Sequence, residues 1–199
     1  MLIEEREPFY RLKESYNKGN THGADQMNSL WSFSLTLYRA EEVKQLCLEL
    51  QEEAEIDVCL LLSLVWLGAK GTSLDRPTMI SLYYSVARWQ SLVTGRLRDY
   101  RLACHGSEDS PSKSIISRLK PRLYPILKAL ELNAEKATFW RINHFFQPAP
   151  RANSQLAIER QAVAIEHNLA SYFALHPIDR PPRYKPEKIS RILLNYLPE

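Results

Sequence analysis

Apolar positions recur along this chain at helical spacing, and the polar residues between them fall where helices begin and end. The densest apolar stretch is "LLSLVWLGAKG" at 61–71. It belongs to a run that starts at Val58 and reaches Leu67, broken only by Ser63 and followed by Gly68 and Gly71. Asp57 directly before the run predicts an N-cap, and the two glycines predict its end. A helix apolar on all sides, 57–68, is the centre of a bundle around which amphipathic helices wrap. The alternative is a helix lining a lipid-like or quinone-like pocket. Spanning a bilayer takes about 20 apolar residues, so this run of ten is too short to cross one.

The neighbouring stretches supply the wrapping helices. After Asp25, a cap, Leu30, Phe33, Ser34, Leu37 and Tyr38 share a face that Trp31 and Leu35 broaden. Residues 41–55 place Val43, Leu46, Cys47, Leu50 and Ala54 on one stripe, with Glu42, Glu49, Glu52 and Glu53 off it. Asp75 and Pro77 open a long helix over 76–105. Its seam is Met79, Tyr83, Val86, Gln90, Val93, Leu97, Tyr100 and Cys104, and Arg101 falls about 40° from the middle of that seam at 100° per residue. A guanidinium so placed needs a partner.

Beyond the polar loop "HGSEDSPSKS", Pro121 and Pro125 each remove a backbone donor. They predict a short helix ending near Lys120 and a longer one from 122 or 126 to Phe146. "QPAPRAN" is a linker, Ser154 caps a helix carrying Ile158, Ala162, Ile165, Leu169 and Tyr172, and "HPIDRPPRYKP" is extended. Pro186 starts a final amphipathic turn or two with Ile189, Ile192, Leu193 and Tyr196. The fold class is all-α, a single-domain bundle of about six to eight helices. Its organisation is an N-terminal arm at 1–24, the bundle at 25–176, and an extended segment with a short helix at 177–199.

Charge changes this picture more than composition does. The net value is only +3, but residues 1–60 carry 6 Lys+Arg against 12 Asp+Glu, and residues 61–128 carry 11 against 4. Such polarity serves packing between acidic and basic helices, or a basic face toward a partner. The N-terminus has neither the apolar core nor the cleavage site of a secretory signal, which points to the cytoplasm. Cys47, Cys59 and Cys104 form no CxxC pair and read as reduced thiols, mostly buried.

Catalytic motifs are scarce. The chain has no GxxxxGK[ST], GxGxxG, HExxH or GxSxG, and no Glu followed three residues later by His. His22, His105, His144, His167 and His176 show no metal-ligand spacing. No catalytic residue, metal ligand or cofactor site is assigned.

Two groups stand out instead. In "RWQSLVTGRLRDYR", Arg88, Trp89, Arg96 and Arg98 make a candidate binding face, since guanidiniums hold phosphates and aromatic rings stack bases. In "ELNAEK", Glu131 and Glu135 lie one helical turn apart and project the same way. They suit an ion-pair cluster with Arg98 and Arg101, or alternatively a magnesium site or a shared proton.

The blocks "LWSFSLTLY" at 30–38, "CLELQ" at 47–51, "DVCLLLSLVWLG" at 57–68, "LRDYR" at 97–101, "ELNAE" at 131–135 and "NLASYF" at 168–173 follow one another in order. Together they resemble a proteobacterial family of small helical proteins, domain-of-unknown-function family 2390. That family pattern usually has Asn where Cys59 stands and Pro where Arg96 stands. The resemblance implies a bacterial, cytoplasmic, all-helical domain and carries no activity or cofactor with it.

Two functions from different classes fit these observations. The leading one is a non-enzymatic module that docks a protein partner, or a nucleoprotein, through Arg88, Arg96 and Arg98, with Arg101 holding the scaffold. The other is an enzyme or small-molecule carrier with an apolar pocket walled by Trp66, Trp89 and Trp140, whose polar groups are Arg101, Glu131 and Glu135.

Overall fold

The computed structural model describes residues 24–105, 115–146, 158–175 and 185–197. The expected arm before residue 24, the polar loop, the linker with its Ser154 cap and most of the extended stretch before Pro186 lie outside these residues. Within them the chain is an all-α bundle with the elements α1 (Ala24–Tyr38), α2 (Glu41–Ala54), α3 (Val58–Ala69), α4 (Arg76–Trp89), a π-turn (Gln90–Thr94), α5 (Gly95–His105), α6 (Ile115–Phe145), α7 (Ile158–Leu175) and α8 (Pro186–Leu194).

The apolar run is the hub, as its pattern requires. Every α3 residue from Val58 to Gly68 is buried, and α3 packs on α7, α6 and α1. Asp57 caps it, with Oδ1 accepting from the Leu60 amide at 2.7 Å. Gly68 does not end the helix. It sits inside the last turn, where a Cβ would lie 2.5 Å from Ile165 Cγ1 and 2.7 Å from the Ile165 backbone. The glycine therefore lets α3 and α7 approach closely, and the left-handed position that follows the helix falls to Gly71, φ 75°.

The α3–α7 contact is also tied by one side chain. Asn168, fully buried, accepts from the Leu74 amide at 2.8 Å and donates to the Thr72 carbonyl at 2.9 Å and the Leu64 carbonyl at 3.3 Å. It thereby satisfies the loop that leads from α3 to α4.

The outer helices follow their stripes. In α1, Leu30, Trp31, Ser34, Leu37 and Tyr38 are buried. In α2, Val43, Leu46, Cys47, Leu50 and Ala54 are buried. α7 buries Ile165, Leu169 and Tyr172 but leaves Ile158 exposed. α8 turns Ile189 and Leu193 inward, and its following Tyr196 hydroxyl donates to Glu42 of α2 at 2.7 Å.

The expected break near Lys120 does not occur, because α6 runs unbroken from Ile115 to Phe145. Pro125 lacks the N–H that would bond the Pro121 carbonyl four residues back. Pro125 lies on the exposed side of the helix, where water can take up the carbonyl. The cost of the proline is thus carried at the surface, and the helix continues.

Candidate functional site

The site begins with the break in period between α4 and α5. α4 buries Met79, Leu82 and Val86. Then the Gly95 amide bonds the Gln90 carbonyl, five residues back rather than four. A π-turn accommodates one extra residue, so every inward position after it moves one residue along. The seam expected at Val93, Leu97 and Tyr100 is instead Thr94, Arg98 and Arg101. Tyr100 is accordingly 59% exposed and Arg101 only 5% exposed. A strict helical step would have sent an aromatic ring inward; the inserted residue sends two guanidiniums.

Their partners come from the facing helix. Arg98 Nε is 2.9 Å from Glu131 Oε1 and Arg101 Nε is 2.5 Å from Glu131 Oε2, so each oxygen of this carboxylate accepts from one guanidinium. Tyr124, further back on α6, also lies beside Arg101. Among the described residues, Glu135, one turn along α6, is paired with Arg98 alone, whose Nη2 lies 3.5 Å from Oε1. Glu135 is 2% exposed, and its Oε2 has no hydrogen-bond partner among the described residues. Burying ions this deeply costs several kcal/mol each, and only complete pairing repays it. Glu131 is completely paired; Glu135 is not.

A third carboxylate reaches the same place from α3. The α2–α3 turn is closed by Glu55 in the left-handed region at φ 52° and by the Ile56 amide bonding the Leu50 carbonyl at 3.2 Å. With Ile56 anchored in the core, Asp57 emerges at the start of α3. Its backbone N–H donates to the Tyr172 hydroxyl of α7 at 3.0 Å. Its Oδ1 makes the cap, and its Oδ2 has no hydrogen-bond partner among the described residues, although Gln90 lies alongside.

Electrostatics follow from this burial. Desolvation pushes Glu135 up to about 8, with Arg98 opposing and the neighbouring charges of Glu131 and Asp57 adding to the rise. Asp57 is raised too, by burial first, against the pull of the Leu60 amide and Arg98. Burial also holds the Cys59 thiol and the Tyr172 phenol in their neutral forms.

These groups wall a cavity of about 630 Å³. Asp57, Glu135, Arg98 and Gln90 supply its polar groups, while Leu48, Ile56, Tyr83 and Val86 contribute apolar surface. Cys59 and Tyr172 complete the deep side, and Glu52, Glu55 and Asp99 stand on its exposed part.

The expected pairing partners Arg98, Arg101, Glu131 and Glu135 therefore come together. The proposed basic face does not stay together. Arg88 and Arg96 are exposed, Arg98 turns into the bundle, and Trp89 donates Nε1–H to the Ala134 carbonyl at 3.1 Å with Arg141 over its ring at 5.3 Å. The three tryptophans imagined as pocket walls lie elsewhere. Trp66 is in the core under Lys70, and Trp140 is 54% exposed and stacked on His144. Among the described residues, no group of three or more His, Cys, Asp or Glu is placed to hold a metal ion, and no helix is long and apolar enough to cross a membrane.

Sequence reasoning valued Asp57 only as a cap and Gln90 and Tyr172 only as core positions. The available signal was Gly95, a helix-weakening residue in the middle of a 30-residue helical pattern, which marks the register change that opens the site.

A family model described as "Protein of unknown function (DUF2390)" matches residues 29–142. The chain belongs to this family. The matched segment reaches from α1 into α6 and so contains Asp57, Arg98, Arg101, Glu131 and Glu135, with Tyr172 beyond it. No curated protein and no solved structure matches the chain.

Proposed function

We propose that this family member binds a small molecule in the cavity between the start of α3, the π-turn, α5, α6 and α7. The observation that carries this reading is a carboxylate oxygen, Glu135 Oε2, buried against the cavity with no hydrogen-bond partner among the described residues. A buried acceptor left unmade costs about 1–3 kcal/mol, more when charged. Folding tolerates that cost where a ligand supplies the missing bond. Apolar walls beside converging polar groups recur in small-molecule sites, and this cavity joins Leu48, Ile56, Tyr83 and Val86 to a set of charged side chains.

The same geometry supports proton transfer as well as binding. Glu135, held near the protonation boundary by its surroundings, is a group that can give or take a proton close to neutral pH. An enzyme of this design uses Glu135 as acid or base, Arg98 to stabilise its ionised form, and Asp57 to orient the substrate.

A docking role through the basic face is the second reading, and Arg88 and Arg96 remain available for it on the surface. It loses Arg98, which is engaged with Glu131 and Glu135. Reversing Arg88 and Arg96 to Glu and repeating a capture assay with and without nuclease would measure what that face retains.

The cavity reading is tested by blocking the cavity. Ala87, which lines it, replaced by Phe should fill the space without disturbing the α3–α7 seam. A fragment library screened by ligand-observed NMR should yield binders to the native chain that compete with one another and are lost in Ala87→Phe. Binders that persist at full strength in a folded Ala87→Phe protein would show that they sit elsewhere and defeat the proposal.

A further inference from the structure

The chemistry of the lining narrows the ligand. Five acids face the cavity, namely Glu52, Glu55, Asp57, Asp99 and Glu135, against the two guanidiniums of Arg98 and Arg101. Both guanidiniums are already engaged by Glu131, so an incoming anion would compete with a completed ion pair. Asp57 Oδ2, with the Gln90 side chain close enough to lower the carboxyl's pKa, and Glu135 Oε2 have no partner within hydrogen-bond distance among the described residues, and both are acceptors when ionised. An entering group that carries positive charge and more than one N–H satisfies both and offsets the acidic excess. The apolar wall leaves room for a hydrocarbon or aromatic body attached to that group, and Tyr83 offers a ring face beside it.

Resting on the cavity reading above, we propose that the ligand is an organic cation, its ammonium or amidinium group seated between Asp57 and Glu135 and its apolar body lying along Leu48, Ile56, Tyr83 and Val86. Such a ligand replaces the missing neighbour of Glu135 and favours its ionised form. The groups that bear on that carboxylate are Asp57 and Cys59 from the start of α3, Arg98 and Arg101 from α5 and Glu131 from α6, with Tyr172 of α7 lining the same cavity. Glu135, pushed up to about 8, holds a proton at neutral pH, and binding draws that proton off. Affinity then weakens by about tenfold for each pH unit below 8, toward the ordinary carboxylate range.

The test compares three probes of one shape: 2-phenylethylamine, 2-phenylethanol and phenylacetate, titrated by ligand-observed NMR against the full chain and its Asp57→Asn, Glu135→Gln and Ala87→Phe variants. Thermal melting verifies that each variant is folded. The proposal expects the amine to bind at least tenfold tighter than the alcohol, with the carboxylate weakest. It also expects the amine to lose that advantage in Asp57→Asn and Glu135→Gln, and to weaken as pH is lowered from 8 to 6. Equal or tighter binding of the alcohol or the carboxylate, lost in Ala87→Phe, overturns the cation and leaves the cavity standing. Amine binding that is independent of pH and unchanged in Glu135→Gln overturns the seat. Binding of all three probes undiminished in Ala87→Phe, or no binding at all, removes both this inference and the cavity reading beneath it.

Discussion

The two ends of α3 are built to opposite standards. At its C-terminal end Gly68 brings the helix against the Ile165 backbone, and Asn168 makes two hydrogen bonds to the loop beyond and one to the Leu64 carbonyl of α3 itself. At its N-terminal end Asp57 faces a cavity with one oxygen unpartnered, opposite a buried Glu135 in the same condition. Both ends are buried and both carry polar side chains. The difference is that the polar groups of one end are paired by the chain itself, while at the other two buried carboxylate oxygens find no hydrogen-bond partner among the described residues. Substitutions at the two ends should therefore report on different things: stability at the first, and pH dependence and binding at the second.

Trp66→Ala should show the largest effect. Trp66 is 3% exposed in the middle of the hub, and removing a buried aromatic side chain costs about 3–5 kcal/mol through lost burial and the cavity left behind. Chemical denaturation should register this as a lower midpoint with a similar slope. A loss below about 1 kcal/mol would mean that α3 is not the element the others pack on.

Asn168→Ala comes next. It leaves the buried Leu74 amide without its partner, at about 1–3 kcal/mol, and releases the part-buried Thr72 carbonyl, which water can reach. Because those groups belong to the α3–α4 loop, hydrogen exchange at Leu74 should accelerate more than exchange in α2. Uniform acceleration across the chain would deny the local tie and reduce the closed end to general packing.

The hub between the two ends could be read in the sequence, whereas the closure of one end and the opening of the other could not. The apolar run, the Asp57 cap and the stripes of α1 and α2 follow from local spacing, where one residue type at one interval implies one face. The role of Gly68 could not be read that way, because a close approach to Ile165 depends on a helix almost 100 residues away in the chain. The cavity escaped for a sharper reason: a single π-turn shifts the register, so a periodic reading carried past Gln90 names Tyr100 and Cys104 where Arg98 and Arg101 point inward. Arg101 as a guanidinium in want of a partner, and Glu131 with Glu135 as candidates for it, are legible all the same, because charge on a buried stripe is costly whatever the exact register. The meeting of Asp57 with Glu135 joins α3 to α6 and had no local signal at all.

The effect most telling for the comparison is expected from Glu135→Gln; it is the smallest of the three near pH 4.5 and grows as pH rises. In the folded chain Glu135 titrates at about 8, while in the unfolded chain it titrates near 4.5. The folded form thus keeps a proton that the unfolded form releases between those values, and native stability falls as pH rises through that window, by up to ~1.4 kcal/mol per unit for one proton. Below 4.5 both forms are protonated, and above about 8 both are ionised, so the slope vanishes at either side. Glutamine mimics the protonated acid at every pH. Its stability should match the native chain near pH 4.5, fall less steeply above it, and exceed the native chain at pH 8. Asp57, also raised by burial, contributes a slope of the same sign in both proteins, so the difference between the two curves isolates Glu135. Parallel curves across the whole range would mean that Glu135 is as well solvated or as well paired as Glu131, and the open end would then be as closed as the other.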